Sequence, residues 1–332
     1  TIPGEWSGRR VVLRVGAAES VLGAFVDGRC VGVGTDSRLP NEFDITAHVR
    51  AGRRSTIVLV VVRWSASTWV EDQDQWWHGG VQRSVTLYST APSHLATVKA
   101  LPGLTGLVDD GELTGTLDLE IVVDGPARRD RGWKVHASVE SLGGRGSGRR
   151  AAMARTPDFD VPVWNPDSEG DQLLSAMFVE PGVVRTRLDV PGVDAWSHET
   201  PVRYRLLVSL VDPDGAPVEV VTMLTGFRSL EIADNELRIN GRAVLIHGVN
   251  LQEHDPARGR AVTPEMTRAD LLLMKAHNLN AVRAAHYPHD EHLAGLCDEL
   301  GLYLVDEANV ESHGRQASLC HDPRYVRQIV ER

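Results

Sequence analysis

Cysteine is scarce. Cys30, Cys297 and Cys320 are the three in 332 residues, and none lies in CxxC spacing. That argues against a disulfide framework or a zinc site and fits a reducing, cytoplasmic setting. Cys297 falls on the apolar side of a predicted helix, where a thiol packs rather than reacts. Basic residues are in deficit as well: 35 Lys and Arg against 45 Asp and Glu give a formal net charge of -10. This balance argues against non-specific binding to nucleic acid or to an anionic membrane surface. No apolar run is long enough to span a bilayer. With 42% hydrophobic and 24% charged residues, the composition is that of a soluble globular chain long enough for two or three domains.

The chain divides by its grammar into residues 1–90, 91–228 and 229–332. The first block reads as all-β. Val11–Val15 is a strand, and Leu22–Val33 alternates around a turn at Asp27-Gly28, a strong hairpin signal. Ser55–Trp64 is a β-branched apolar run expected as a central sandwich strand, and Val81–Ser89 is another strand. Between them lies WVEDQDQWW, Trp69–Trp77, whose aromatics interleaved with acids suit a carbohydrate-facing loop; an acidic loop with anchoring tryptophans is the alternative. The second block alternates at Thr114–Val123, Trp133–Val139 and Tyr204–Val211, with turns at Pro181-Gly182, Pro191-Gly192 and Asp214-Gly215. Gly143–Arg150 is expected as a hairpin tip. The expected class is multidomain β plus α/β: a jelly-roll sandwich, an immunoglobulin-like sandwich, then the first part of a (β/α)8 barrel.

The third block changes period. After a hairpin around Asn240-Gly241, Ala243–Asn250 reads as a strand. Thr263-Pro264-Glu265 opens a helix to about His277, and Leu279–Ala284 is a strand. Asp290 caps a helix that Gly301 stops, and Asp322-Pro323 begins another. Alternating strands and helices predict a parallel sheet. Polar clusters follow each strand: Asn250 and Glu253, then Arg283 and His286, then Asp306 to His313. Reactive groups at consecutive strand ends are the barrel-enzyme pattern. His247 reads as packing within its strand, and His254 and His289 carry no assignment.

The third cluster is the densest. GLYLVDEANVESHG, Gly301–Gly314, turns from an apolar strand to three carboxylates, an amide and a histidine. Glu311 and His313 are two apart, so an extended backbone points both to one face. A carboxylate oxygen and an imidazole nitrogen then converge as a divalent metal site needs. A solvated polar loop is the bland alternative.

With these residues placed, the chain resembles family 2 glycoside hydrolases of the large multidomain β-galactosidase kind. The matching stretches are DSRLPNEFD (Asp36–Asp44), RWS with EDQDQWW (Arg63–Trp77), GFR (Gly226–Arg228), INGRAVLIHGVN (Ile239–Asn250), AVRAAHYP (Ala281–Pro288) and DEANVESHG (Asp306–Gly314). The resemblance implies retaining hydrolysis of terminal β-galactosides such as lactose, by a homo-oligomeric parent of which this is a segment. It implies magnesium on Glu311 and His313, and galactosyl contacts from His286 and Arg283. It also implies that Asp74 reaches in from the first domain to bind the galactose 6-hydroxyl and a sodium ion. The family's acid/base and nucleophilic glutamates would lie beyond Arg332, so no catalytic carboxylate is assigned.

The chain departs from the family where GVNRHEH is usual. Here it reads GVNLQEH, and Leu251 and Gln252 replace an arginine and an active-site histidine. Gln252 hydrogen-bonds a sugar hydroxyl but carries no charge, so specificity or rate is expected to differ. Two other readings are kept: a carbohydrate-binding or scaffold module, and a family 2 hydrolase acting on another sugar such as a β-glucuronide.

Overall fold

A computed structural model describes residues 1–106, 111–142, 154–163 and 180–332. The expected hairpin tip at Gly143–Arg150 lies outside the described residues. Contacts gather into two compact units: Thr1–Ser89 with Ile246–Arg332, and Thr90–Leu245.

In the first unit, residues 1–89 form small, mostly antiparallel sheets around one core. The Arg10–Val15 strand pairs with Asn41–Asp44 and with Val85–Thr90, and the Val21–Val26 strand lies between Arg29–Gly34 and Ile57–Val62. The period-2 pattern buries Val11, Leu13 and Val15 from one sheet against Leu22, Ala24 and Val26 from the other. Asp27 and Gly28 turn the hairpin with φ of 47° and 81°, the left-handed pair that a two-residue hairpin turn requires.

Two strand expectations need correction. Ile57–Val62 is an edge strand, not a central one, among the described residues. Ile57, Leu59 and Val61 pack on the core, while Val58, Val60 and Val62 are about half exposed. An unbroken apolar run does not reveal whether both faces are covered. Val81–Ser89 is interrupted: Gly80–Val81 pairs with Ala18–Glu19, and a new strand starts at Val85.

Residues 246–332 supply a parallel three-stranded sheet, in the order Gly248–Leu251, Ala281–Ala284, Tyr303–Val305. Helices Pro264–Ala276 and His292–Leu300 join these strands, and Leu271, Val282, Ala284, Leu293, Cys297 and Leu302 form the core between sheet and helices. The Thr263 hydroxyl accepts the Met266 N–H and caps the first helix; such a cap contributes ~1 kcal/mol. Gly301 ends the second with φ of 72°, a conformation that costs other residues strain. The expected Ala243–Asn250 strand starts only at Gly248. Val244 still completes the preceding hairpin by donating to Leu237, and His247 is exposed rather than packed. Asp322 accepts the Arg324 N–H and opens a short helical segment that continues as Val326–Val330.

The second unit is a sandwich of two antiparallel sheets. His94–Thr105, Thr114–Asp124 and Val183–Pro191 form one, and the other runs from Lys134–Ser141 through Tyr204–Val211 to Pro217–Thr225. Alternate residues of both, such as Leu117, Leu119 and Ile121 against Leu206, Val208 and Leu210, build its core. The Tyr204 hydroxyl accepts the Asp194 N–H at 2.8 Å, and its ring packs on Phe227. The hairpin from Leu230 to Ala243 belongs to this unit, with Asn240 and Gly241 at φ of 54° and 76°. No helix is long and apolar enough to cross a membrane among the described residues.

Candidate active site

The parallel register places Asn250 beside Arg283 and Arg283 beside Val305. Their side chains therefore leave the sheet at the C-terminal ends of adjacent strands, the end where barrel enzymes gather reactive groups. The Arg283 guanidinium donates to Glu307 through Nε, to Asn250 Oδ1 at 3.4 Å and to His286 Nδ1 at 3.1 Å. A guanidinium is a donor only, so His286 Nδ1 accepts and the ring proton sits on Nε2. The carboxylates of Glu307 and Glu311 stand farther from that nitrogen, each at 3.7 Å. In this tautomer the Nε2–H is free of these partners.

Glu311 and His313 come together: His313 Nε2 lies 3.0 Å from Glu311 Oε1. Two donors bound to one cation at right angles, each about 2.1 Å away, stand about 3.0 Å apart, so this pair fits two adjacent positions of a divalent shell. No group of three candidate ligands gathers among the described residues. Two protein donors leave most of an octahedral shell to water.

The Glu311–Ser312 segment is held by pairing with the first domain. It runs parallel to Glu71–Asp72, and the N–H groups of Glu311 and His313 donate to the carbonyls of Val70 and Asp72 at 2.8 and 3.2 Å. Close approach favours glycine at 314: a Cβ there would meet Asp72 Oδ2 at 2.9 Å and the Trp69 ring at 3.0 Å.

Asp74 is exposed and makes no side-chain hydrogen bond among the described residues. Its neighbours are fixed at both ends. Gln73 donates to Asn309 Oδ1 at 2.7 Å, in the loop after the third parallel strand. Trp76 stacks on His254 with ring centroids 4.6 Å apart, and its carbonyl accepts from buried Arg260 at 2.6 Å, in the segment after the first strand. The 73–76 segment therefore spans from one strand-end loop to the other, with Asp74 on it. Gln252 is exposed and likewise without a side-chain partner among the described residues, whereas Glu253 turns inward to Arg83 at 2.8 Å. Glu253 is therefore structural, although the sequence groups it with the polar strand ends.

Tyr287, next to His286, is fully buried between two guanidinium groups, Arg38 at 4.4 Å and Arg260 at 5.4 Å from the ring centroid. Burial holds its hydroxyl above the ordinary value, while Arg260 and Arg38 pull it down. Burial lowers Arg260, and Arg38 lowers it further. Sequence reasoning passed over Arg38, Glu71, Gln73 and Arg260 as individual residues. For the first three the signal available was their place inside DSRLP and EDQD, where polar residues flank the ones assigned to chemistry; Arg260 stands in no such motif.

The family models "Glycosyl hydrolases family 2, sugar binding domain" and "Glycosyl hydrolases family 2, TIM barrel domain" match residues 1–91 and 230–331. Among curated proteins, a beta-galactosidase of Aeromonas hydrophila subsp. hydrophila is 38% identical over 336 residues, covering 100% of this chain and 30% of that protein. A beta-galactosidase of Vibrio vulnificus is 36% identical, covering 94% and 28%. The chain thus spans about 30% of the length of the curated relatives it matches. Among solved structures, a glycosyl hydrolase family 2 member from Bacteroides cellulosilyticus aligns with a TM-score of 0.74 at 20% identity, covering 92% of this chain and 38% of that one. A β-glucuronidase from Ruminococcus gnavus aligns with the same score at 18% identity, covering 93% and 49%. These two structures speak for the fold. With both family 2 domain models matched in order, together over more than half of the chain, and a 38% identical relative aligned over all of it, the chain belongs to glycoside hydrolase family 2.

Proposed function

We propose that the Arg283–His286–Glu307–Glu311 rim receives the terminal galactosyl residue of a β-galactoside such as lactose, as part of a retaining β-galactosidase. The observation that supports this most directly is the convergence of these four side chains at adjacent parallel strand ends. The His286 Nε2–H is placed to donate to a sugar hydroxyl or to negative charge developing near the ring. The exposed carboxylate of Asp74 accepts from a hydroxyl, and Gln252 offers both a donor and an acceptor. Glu307 is tied to Arg283 and Glu311 to His313. Retaining hydrolysis needs two carboxyl groups about 5 Å apart across the scissile bond, and neither role is assigned to Glu307 or Glu311.

Glu311 and His313 would hold magnesium, which would supply a fixed positive charge that tunes a neighbouring acid. For sodium the described residues offer Asp74 alone, and no step is drawn through that ion. The β-glucuronide reading is disfavoured because a uronate carboxylate needs an uncompensated cation and Glu307 already neutralises Arg283, whereas an uncharged galactosyl hydroxyl needs only a hydrogen bond.

The test is ligand binding by the 332-residue chain. Galactose should bind saturably and glucuronate should not. Arg283→Ala and His286→Ala should each weaken galactose by about tenfold or more, the scale of a charge-assisted hydrogen bond. Preference for glucuronate would overturn the galactoside reading. Turnover of nitrophenyl β-galactoside by this chain would bring the catalytic carboxylates back inside it.

A further inference from the structure

The most heavily hydrogen-bonded buried side chain in the first unit is one that touches no candidate substrate group. Glu71 is 3% exposed. Its oxygens accept from Ser37 N at 3.0 Å, from Ser37 Oγ, from Asn309 Nδ2 at 2.9 Å and from Arg332 Nη2 at 2.6 Å. Burial raises its carboxyl above the ordinary value, against the opposing pull of Arg332 and Ser37. A carboxylate offers about four acceptor positions, so nothing is left over for a ligand.

Asn309 is equally saturated and has no exposed surface. Its amide donates to Glu71 and, at 3.4 Å, to Asp36 Oδ1, and its carbonyl oxygen accepts from Gln73. Two residues on begins the segment that carries Glu311 and His313, and its backbone pairs with Glu71 itself. One residue pair thus joins the loops twice, through side chains and through the strand register.

We propose that Glu71 and Gln73 are positioning residues for the candidate site: by gripping Asn309 they fix the Glu311–His313 segment against the first domain, and so set the side that Glu311 and His313 present to the sugar. This rests on the reading of the rim as a galactosyl site. It also accounts for DSRLP and EDQD without direct substrate contact by most of their residues. Ser37 anchors Glu71, Asp36 meets Asn309, and Asp72 Oδ2 receives the Gly314 N–H at 2.6 Å. In EDQD that leaves Asp74 as the residue facing outward.

The test uses Asn309→Asp in the full 332-residue chain. The change keeps shape but sets a carboxylate against Glu71 and Asp36. Residue-resolved hydrogen exchange reads the amides of Glu311 and His313, which donate to Val70 and Asp72. We expect them to exchange about tenfold faster or more, while amides of the Val21–Val26 strand keep their protection. In the folded variant galactose affinity should fall by about tenfold. If Asn309→Asp does not fold, Gln73→Ala removes the bond to Asn309, together with one accepted from Gln75, and should give the same local signature at smaller size. Unchanged exchange at Glu311 and His313 in a folded variant would overturn the proposal, as would released exchange with galactose affinity intact. If the unaltered chain binds no galactose, the galactosyl reading fails and the positioning claim fails with it as a claim about sugar. The exchange result then still decides whether the grip itself exists.

Discussion

Arg83 and Glu253 meet at 2.8 Å with 9% and 11% of their side chains exposed. The same guanidinium donates to the Pro288 carbonyl at 2.7 Å, and the other Glu253 oxygen accepts the Asp290 N–H at 2.7 Å. One buried pair therefore ties the first domain to the segments that follow two adjacent parallel strands. Removing one partner of such a pair leaves the other charge buried and unpaired. Arg83→Met is expected to lower stability by about 3–5 kcal/mol in urea unfolding. The double change Arg83→Met with Glu253→Gln should cost less, because no bare charge remains. A single change without effect would show that water reaches Glu253.

The Glu311–His313 pair makes a thermal prediction. An ion that binds only the folded chain raises its melting temperature by mass action. Magnesium should stabilise the chain in a concentration-dependent way, and Glu311→Gln or His313→Ala should abolish the shift. A shift that survives both changes would place the ion elsewhere.

Cys297 is 2% exposed, and its thiol is pushed up to about 12, chiefly by burial and further by Asp298. Cys30 and Cys320 are exposed. A thiolate-selective reagent at neutral pH should therefore label Cys30 and Cys320 in the folded protein and reach Cys297 only on unfolding. Fast labelling of Cys297 would mean that the helix–sheet core opens readily.

His289 sets an acid limit. Burial holds its imidazole below the ordinary 6.5, against smaller opposing effects of Glu253 and the Ala285 carbonyl. The folded state then binds fewer protons than the unfolded chain in the interval beneath 6.5. Its contribution to stability is fully present above 6.5 and is lost as pH falls through 6.5 toward the folded value. His289→Gln should flatten the stability curve between about pH 7 and pH 5. His78 and His136 are also lowered, chiefly by burial, but are less enclosed, so part of the slope should survive. An unchanged slope would show that His289 titrates normally.

The local grammar of this chain is readable because its signals are local. Asp27-Gly28 and Asn240-Gly241 announce their hairpins, Thr263-Pro264 its helix start and Gly301 its helix end, each through a backbone requirement that few residues meet. Strand polarity at Arg283 and at Glu311 follows from period and from what precedes it. The sequence does not show which polar residue faces which. Glu253 and Gln252 are adjacent and equally polar, yet one turns inward to Arg83 and the other to solvent. Nothing within a few residues distinguishes Glu71, which is saturated and buried, from Asp74, which is open. The choice is made by Ser37, Asn309 and Arg332, far away in the chain. The edge position of Ile57–Val62 was hidden for the same reason, since cover for a sheet face comes from other segments.

That distance has a kinetic side. Glu71 and Asn309 are 238 residues apart, and Gln73 and Asn309 are 236 apart, whereas the hairpins of both sandwiches join near neighbours. Closing a long loop costs entropy before any contact rewards it, and folding slows as contacts become more distant in sequence. The strands should therefore assemble first, and the clasp at Asn309 should close last. In refolding, galactose binding is expected to return after the far-ultraviolet dichroism of the sheets is complete. Simultaneous recovery would mean that the two ends of the unit meet early and that the site templates the fold around it.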